Sequence, residues 1–325
     1  MSKYKKILVV CDGDVSTGGP EALHHLVSEM RNLGYAAFIC YFPFDKRFET
    51  PNPYKDFNLE VHPWADEDGS LIIFPEVMPM LALKVKKATA AIWWLSLDGF
   101  LLKDRTRNIF REKLRFLMRA IKRQRPLLGA RGLNRLVHLS QSYYVSEYLK
   151  KKGLNVEPLF EPINKVFLSG AGDSESWERT NEILYNPRKG FEHTSKLIEA
   201  FPGYKFTPLN GFTRDQLVWK FSTAKIYIDL GAHPGRDRMP REAAIHGCCV
   251  ITSQFGSAGN SIDVPIPFSY KLDVNSSFFI QDFGMLTLDI FKDFRSHYHA
   301  FASFRQAILS EPGKFIGQIK KYWGQ

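Results

Sequence analysis

The chain has 325 residues, a length suited to two domains of ordinary size, and 44% of its residues are apolar against 24% charged, which is a globular composition and not a low-complexity one. No stretch approaches the roughly 20 apolar residues that a spanning helix needs, and the opening MSKYKKILVV is too short in its apolar part for a secretory leader, so a membrane span and secretion are both excluded as expectations. The net charge of +10 predicts attraction to polyanionic partners without choosing among them.

Lys6 to Cys11 is a short β-branched run that stops at Asp12-Gly13, as a buried parallel strand does. The loop GDVSTGGP follows, and then a helix over Pro20 to Leu33, with Leu23, Leu26, Val27 and Met30 at helical spacing. Pro20 suits the first turn of that helix and Gly34 its end. Tyr35 to Tyr41 completes a βαβ unit. Pro43 to Asp68 is irregular. Leu71 to Phe74, Ala91 to Leu97 and Leu136 to Leu139 read as further strands, and Val145 to Lys152 as a helix. Pro158 and Pro162 mark a linker. Four cysteines, Cys11, Cys40, Cys248 and Cys249, include no paired C-x-x-C spacing, which favours a reduced, cytoplasmic chain and argues against a zinc site.

The second half repeats the alternation. Strands are predicted at Glu182 to Tyr185, Tyr204 to Leu209, Lys225 to Leu230 and Cys248 to Thr252. Helices are predicted at Gly190 to Ala200, Thr213 to Thr223 and Pro240 to His246, and Ser296 to Trp323 reads as mostly helical. The pattern gives three parts: an N-terminal domain over 1–160, a second over 161–295, and a helical tail over 296–325 that packs back on the first.

Open parallel sheets bind ligands at the carboxyl ends of their strands. In the first domain the loop there carries Gly13, Gly18 and Gly19, which is neither G-x-G-x-x-G nor a phosphate loop with its Lys. A dinucleotide oxidoreductase and a P-loop NTPase lose support. In the second domain the segment NPRKG (186–190) is followed by LNGFTRDQLVWKFSTAKIYIDLGAHPGRDRMPREAAIHGCCVITSQFGSAGN (209–260). Here the chain resembles the retaining glycosyltransferases of GT-B fold that carry two glutamates eight positions apart, the family 4-like group. Lys189-Gly190 matches their Lys-Gly after the domain's first strand. Glu242-Ala243 matches their helix start, Gly256 to Ala258 their glycine loop, and Gly18-Gly19 their double glycine. The first glutamate of the pair is replaced by Pro234, and the Arg usual five positions before the Lys by Leu184.

The resemblance implies an α/β chain of two Rossmann-like domains facing a cleft, transferring sugar from a nucleotide-sugar donor to a glycan or lipid-linked acceptor, without metal or other cofactor. The donor side would comprise Gly18, Gly19, Arg188, Lys189, Gly211, His233, Arg241, Glu242, Gly256, Ser257 and Ala258. Lys189 supplies a point charge to the diphosphate and Arg188 or Arg241 a planar fork. Backbone N–H groups of 256–258 cradle phosphate oxygens, and Glu242 accepts from the ribose hydroxyls. Asp237 or His233 takes over the sugar in place of the missing glutamate. Asp98, after the strand AIWWLSL, stands where such enzymes place a group near the acceptor hydroxyl, so Asp98 and Asp237 are the catalytic candidates. Lys103 to Arg135 carries 12 basic and 2 acidic residues, with Ile109, Phe110, Leu114, Leu117 and Ile121 at helical spacing. That pattern suits a peripheral position on the inner face of an anionic membrane, in surface polysaccharide synthesis, better than nucleic acid. The alternatives are a nucleotide-sugar epimerase or hydrolase on the same fold, and a non-catalytic glycan-binding subunit.

Overall fold

The computed structural model describes residues 2–15, 17–97, 130–169 and 178–324, with side chains of 130 and 131 excepted. Two compact units result: one from Met1–Glu161 together with Lys314–Gln325, the other from Pro162–Gly313. The tail therefore divides differently from the sequence expectation. Residues 296–313 stay with the second unit, and only the last stretch returns to the first.

The first unit is built on a parallel sheet of β1 (Lys6–Asp12), β2 (Ala37–Phe42), β3 (Ser70–Pro75), β4 (Thr89–Trp94), β5 (Val137–Ser140) and β6 (Val156–Pro158), in the order β2-β1-β3-β4-β5-β6. Ile7, Val9 and Cys11 of β1 face one layer and Leu8 and Val10 the other, all at 0% exposure, which is why the strand reads as an unbroken apolar run. Helix α1 (Gly18–Asn32) buries Leu23, Leu26, Val27 and Met30 in the first layer. Helix α2 (Tyr143–Lys151) buries Val145 and Leu149 in the second, and its N-cap Ser142 accepts from the Val145 N–H. β4 ends at Trp94, before the predicted Leu97, because the Leu95 N–H is taken by the Glu76 carboxylate, 3.1 Å away. β6, in the expected linker, was absent from the sequence reading.

The second unit's parallel sheet contains β7 (Thr180–Tyr185), β8 (Lys205–Pro208), β9 (Ala224–Asp229), β10 (Cys249–Ser253) and β11 (Lys271–Leu272), in the order β11-β10-β9-β7-β8. Helices α3 (Phe191–Ala200), α4 (Arg214–Thr223) and α5 (Arg238–Ile245) follow β7, β8 and β9. α4 opens with a capping box: the Gln216 N–H donates to Thr213 and the Thr213 N–H to Gln216. α6 (Phe279–Lys292), α7 (Phe294–Ala300) and α8 (Ala302–Leu309) complete the unit, and α9 (Glu311–Trp323) carries the chain back to the first. Among the described residues no helix is long and apolar enough to cross a membrane. The basic segment expected over 103–135 lies outside the described residues up to 129, and so does Asp98.

Candidate functional site

The chain leaves β7 toward β8 on one side and later returns to place β9 on the other, so the carboxyl ends of β7 and β9 form the switch point of the second sheet. Three loops meet there. Gly190, at φ 62°, caps α3 and lies so close to the β9 loop that a Cβ would meet the Gly231 nitrogen and stand 2.6 Å from the Leu230 carbonyl carbon. A Cβ at Gly256, φ 59°, would stand 2.8 Å from the His233 carbonyl carbon. Only glycine combines that backbone conformation with that approach. Ser253 Oγ donates to the Gly231 carbonyl (2.8 Å), the Ser257 N–H to the His233 carbonyl (2.8 Å) and Ser257 Oγ to the Gly235 carbonyl (2.5 Å). The β10 loop thus fixes the course of 231–237.

That course brings five side chains together. Lys189 Nζ donates to Asp237 and lies 3.6 Å from Asp229 Oδ1. His233 Nε2 donates to the Asp229 carbonyl at 3.1 Å, and its Nδ1 stands 2.8 Å from Asp237 Oδ2. Tyr227 donates its hydroxyl to Asp229 Oδ2 at 3.2 Å. His233 is 0% exposed and Asp229 2%.

Burial and charge oppose each other here. Burial disfavours the charged imidazole of His233, but Asp229 and Asp237 outweigh it and raise its pKa. Burial also opposes the Lys189 ammonium, and the same two carboxylates raise its pKa. For Asp237, burial pushes upward, yet the hydrogen bond and charge of His233, with the charge of Lys189, hold it at about 2. Tyr227 is raised by burial first and then by Asp229, Asp237 and Glu242.

The predicted residues fall into distinct groups. Lys189, His233 and Asp237 converge. Glu242 is buried on α5, within electrostatic reach of Tyr227. Arg188 is exposed beside the cluster in sequence, its N–H donating to Asn186 Oδ1. Arg241 is turned inward: Nη1 donates to Glu311 Oε2 at 2.6 Å, Nη2 to the Arg236 carbonyl at 3.1 Å and Nε to the Asp237 carbonyl at 3.2 Å. Its fork therefore braces the loop and the start of α9, which corrects the expectation of a phosphate clamp. Ser257 likewise commits both its N–H and its hydroxyl within the unit, and Ala258 is a core residue at 0% exposure. The 256–258 loop consequently acts as a loop clamp, and the Ser257 N–H is not offered to a ligand. Gly211 lies in the exposed turn between β8 and α4, away from β9 by two strands. Gly18 and Gly19 open α1 in the first unit, and a Cβ on either would meet nothing closer than Leu95 at 3.7 Å, so local packing does not call for glycine there.

Sequence reading missed Asp229, Tyr227 and Glu311. Asp229 closes an apolar strand and begins a series, Asp229, His233 and Asp237, at intervals of four. That interval was the available signal.

No family model matches the chain, and no curated protein matches it. Solved structures do. A sucrose-phosphate synthase from Thermosynechococcus elongatus superposes with a TM-score of 0.62 at 12% identity, over 98% of this chain and 99% of that one. An alpha-glucosyltransferase in complex with UDP and a 13-mer DNA containing a HMU base superposes with a TM-score of 0.57 at 12% identity, over 96% and 99%. The catalytic domain of starch synthase IV from Arabidopsis thaliana, bound to ADP and acarbose, gives 0.57 at 9% identity over 98% of each chain. The chain thus shares the fold of the GT-B glycosyltransferases: two parallel α/β units of Rossmann-like build.

Proposed function

We propose that the chain is a glycosyltransferase that takes its sugar from a nucleotide-sugar donor, with the donor diphosphate at the carboxyl ends of β7 and β9. The observation that carries this reading is Lys189: a cation held at the sheet's switch point by Asp229 and Asp237, on a turn that only glycine at 190 permits. Two of the similar solved structures hold UDP and ADP, which supports a nucleoside diphosphate as the leaving group. Its developing negative charge is what the protein must stabilise as the glycosidic bond breaks, and Lys189 and Arg188 are the cations in this reading. Glu242 serves the ribose, and Asp237 and His233 serve the sugar. Retention of configuration follows from the family resemblance.

A thermal-shift panel of UDP, ADP and GDP tests the reading, since a ligand bound only by the folded chain raises its melting temperature. Lys189→Ala should weaken the nucleotide that binds by about 1.5–3 kcal/mol, the worth of a hydrogen bond to a charged group. Equal affinity of wild type and variant for that nucleotide would remove Lys189 from the site. Product analysis with donor alone separates transfer from epimerisation or hydrolysis, and turnover of any kind rules out a purely binding subunit.

For the acceptor we favour a glycan, free or lipid-linked, in surface polysaccharide synthesis. The ten excess positive charges of 103–135 support a reversible hold on an anionic membrane, at about 1 kcal/mol for each basic residue near the surface. One similar structure holds DNA, so a modified DNA duplex belongs among the acceptors assayed; its glucosylation would replace the glycan reading.

A further inference from the structure

The cluster at the switch point gathers one imidazole and two carboxylates and leaves a buried carboxylate oxygen without a hydrogen bond. His233 Nε2 must carry a proton, because its partner is a carbonyl oxygen at 3.1 Å. In the neutral ring Nδ1 is then a lone pair, yet it stands 2.8 Å from the carboxylate oxygen Asp237 Oδ2. Two acceptors at that distance need a proton or a cation between them. Asp229 is oriented by Tyr227, which donates to Oδ2, and its buried Oδ1 makes no hydrogen bond among the described residues, with His233 Nε2 at 3.5 Å and Lys189 Nζ at 3.6 Å beside it. One donor atom from each of Asp229, His233 and Asp237 lies within 4.8 Å of the other two.

Such an arrangement has the form of a metal ligand set. A metal-binding imidazole ordinarily donates its other N–H to a carbonyl or carboxylate, and a ligating carboxylate is itself held by a hydrogen bond. The Asp229 carbonyl and Tyr227 fill these two supporting roles here. We propose that Asp229, His233 and Asp237 form a divalent cation site, for an ion such as Mn2+ or Co2+ that accepts imidazole and carboxylate together. In the metal-free protein a proton on Nδ1 and the Lys189 ammonium occupy the place of the ion.

The inference rests on the proposed nucleotide site for its purpose. Two carboxylates, Asp229 buried and Asp237 half-buried, lie under a site meant for a diphosphate, and Arg241 is spent on Glu311. When Lys189 turns to the phosphates, the carboxylates lose their counterion, and a divalent cation would join them to phosphate oxygens. Cation and nucleoside diphosphate should therefore bind cooperatively. This departs from the metal-free chemistry that the family resemblance implies.

The test uses the whole chain, freed of metal by chelation, with Mn2+ followed by the loss of its free EPR signal and Co2+ by its visible absorption. Binding of UDP alone is measured separately by thermal shift. One Mn2+ per chain is expected. Lys189→Met, which removes the competing ammonium, should bind it at least ~10-fold more tightly than wild type without nucleotide, and Asp237→Asn at least ~10-fold more weakly. UDP should tighten Mn2+ on wild type beyond what UDP in solution accounts for. Should Lys189→Met fail to fold, Lys189→Gln takes its place. A folded Lys189 variant that binds neither Mn2+ nor Co2+ overturns the site, and if UDP still binds, the nucleotide reading survives it. Metal binding without nucleotide binding has the opposite meaning: the cation site stands and the nucleotide reading falls.

Discussion

At the scale of single residues, two glycines decide whether the donor loops can meet. Gly190 and Gly256 both have positive φ and both touch backbone of the β9 loop, which no rotamer change can move aside. Gly190→Ala adds left-handed strain of about 1 kcal/mol or more to a clash with Leu230 and Gly231. The variant should therefore lose more than about 2 kcal/mol in urea unfolding of the second unit, and Lys189 should lose its place above Asp229. Gly203→Ala is the control: a Cβ there meets nothing within 4 Å, its φ lies outside the left-handed range, and stability should barely change. If Gly190→Ala unfolds like wild type, the contact between the two loops is not what fixes Lys189. These roles were half legible in the sequence. Lys189-Gly190 was visible as a pair because a strand, a Lys-Gly and a helix followed one another. The reason for the glycine was not, since it lies in a contact with Gly231, forty-one positions on. Asp229 escaped notice because an apolar strand disguised its terminal carboxylate.

Among the elements, strands were the easiest to read. The buried runs of β1, β3, β9 and β10 announce themselves by β-branched residues that face helices on both sides. β6 and β11 have three and two residues, too short for a period to emerge. Arg241 was misread for a different reason. Its position on α5 suits a ligand clamp, but its partner Glu311 opens α9 seventy residues later, and nothing local betrays that pairing. Glu311 also accepts from Arg236 at 2.5 Å, so one buried carboxylate joins the β9 loop and α5 to the start of α9. Removing one partner of a buried ion pair leaves uncompensated charge at a cost of about 3–5 kcal/mol. Glu311→Gln should lower the second unit's stability by an amount in this range. Arg241→Met, which removes the excess positive charge as well as the bond, should combine with it to less than the sum of the two. Additive losses in that double-mutant cycle would show that the two residues are not coupled.

For the whole molecule, the order of the chain and the membership of the units disagree at the end. The second unit runs from Pro162 to Gly313, but Lys314–Gln325 belongs to the first. Phe315, Ile319 and Trp323 recur at intervals of four along α9, each at most 3% exposed, in the layer that contains Ile7, Val9, Leu23 and Trp93. The Lys3 N–H donates to the Trp323 carbonyl at 2.8 Å, and Gln318 accepts from the Phe160 N–H at 2.9 Å, so both ends of the first stretch are tied to the last. Truncating a large buried side chain costs about 2–5 kcal/mol. Losing three at once is comparable with the roughly 5–15 kcal/mol that holds a domain folded. A chain ending at Gly313 should therefore lose its first unit although no residue of 1–161 has changed. The second unit keeps its own core and should stay folded. Limited proteolysis should then degrade 1–161 rapidly while a fragment near 162–313 persists, and the near-ultraviolet signal of Trp93 and Trp94 should collapse. Trp323→Ala, a milder lesion, should lower the unfolding midpoint of the first unit alone. Were the truncated chain to resist protease as well as the full one across 1–161, the first unit would be self-sufficient and the returning helix an accessory to it.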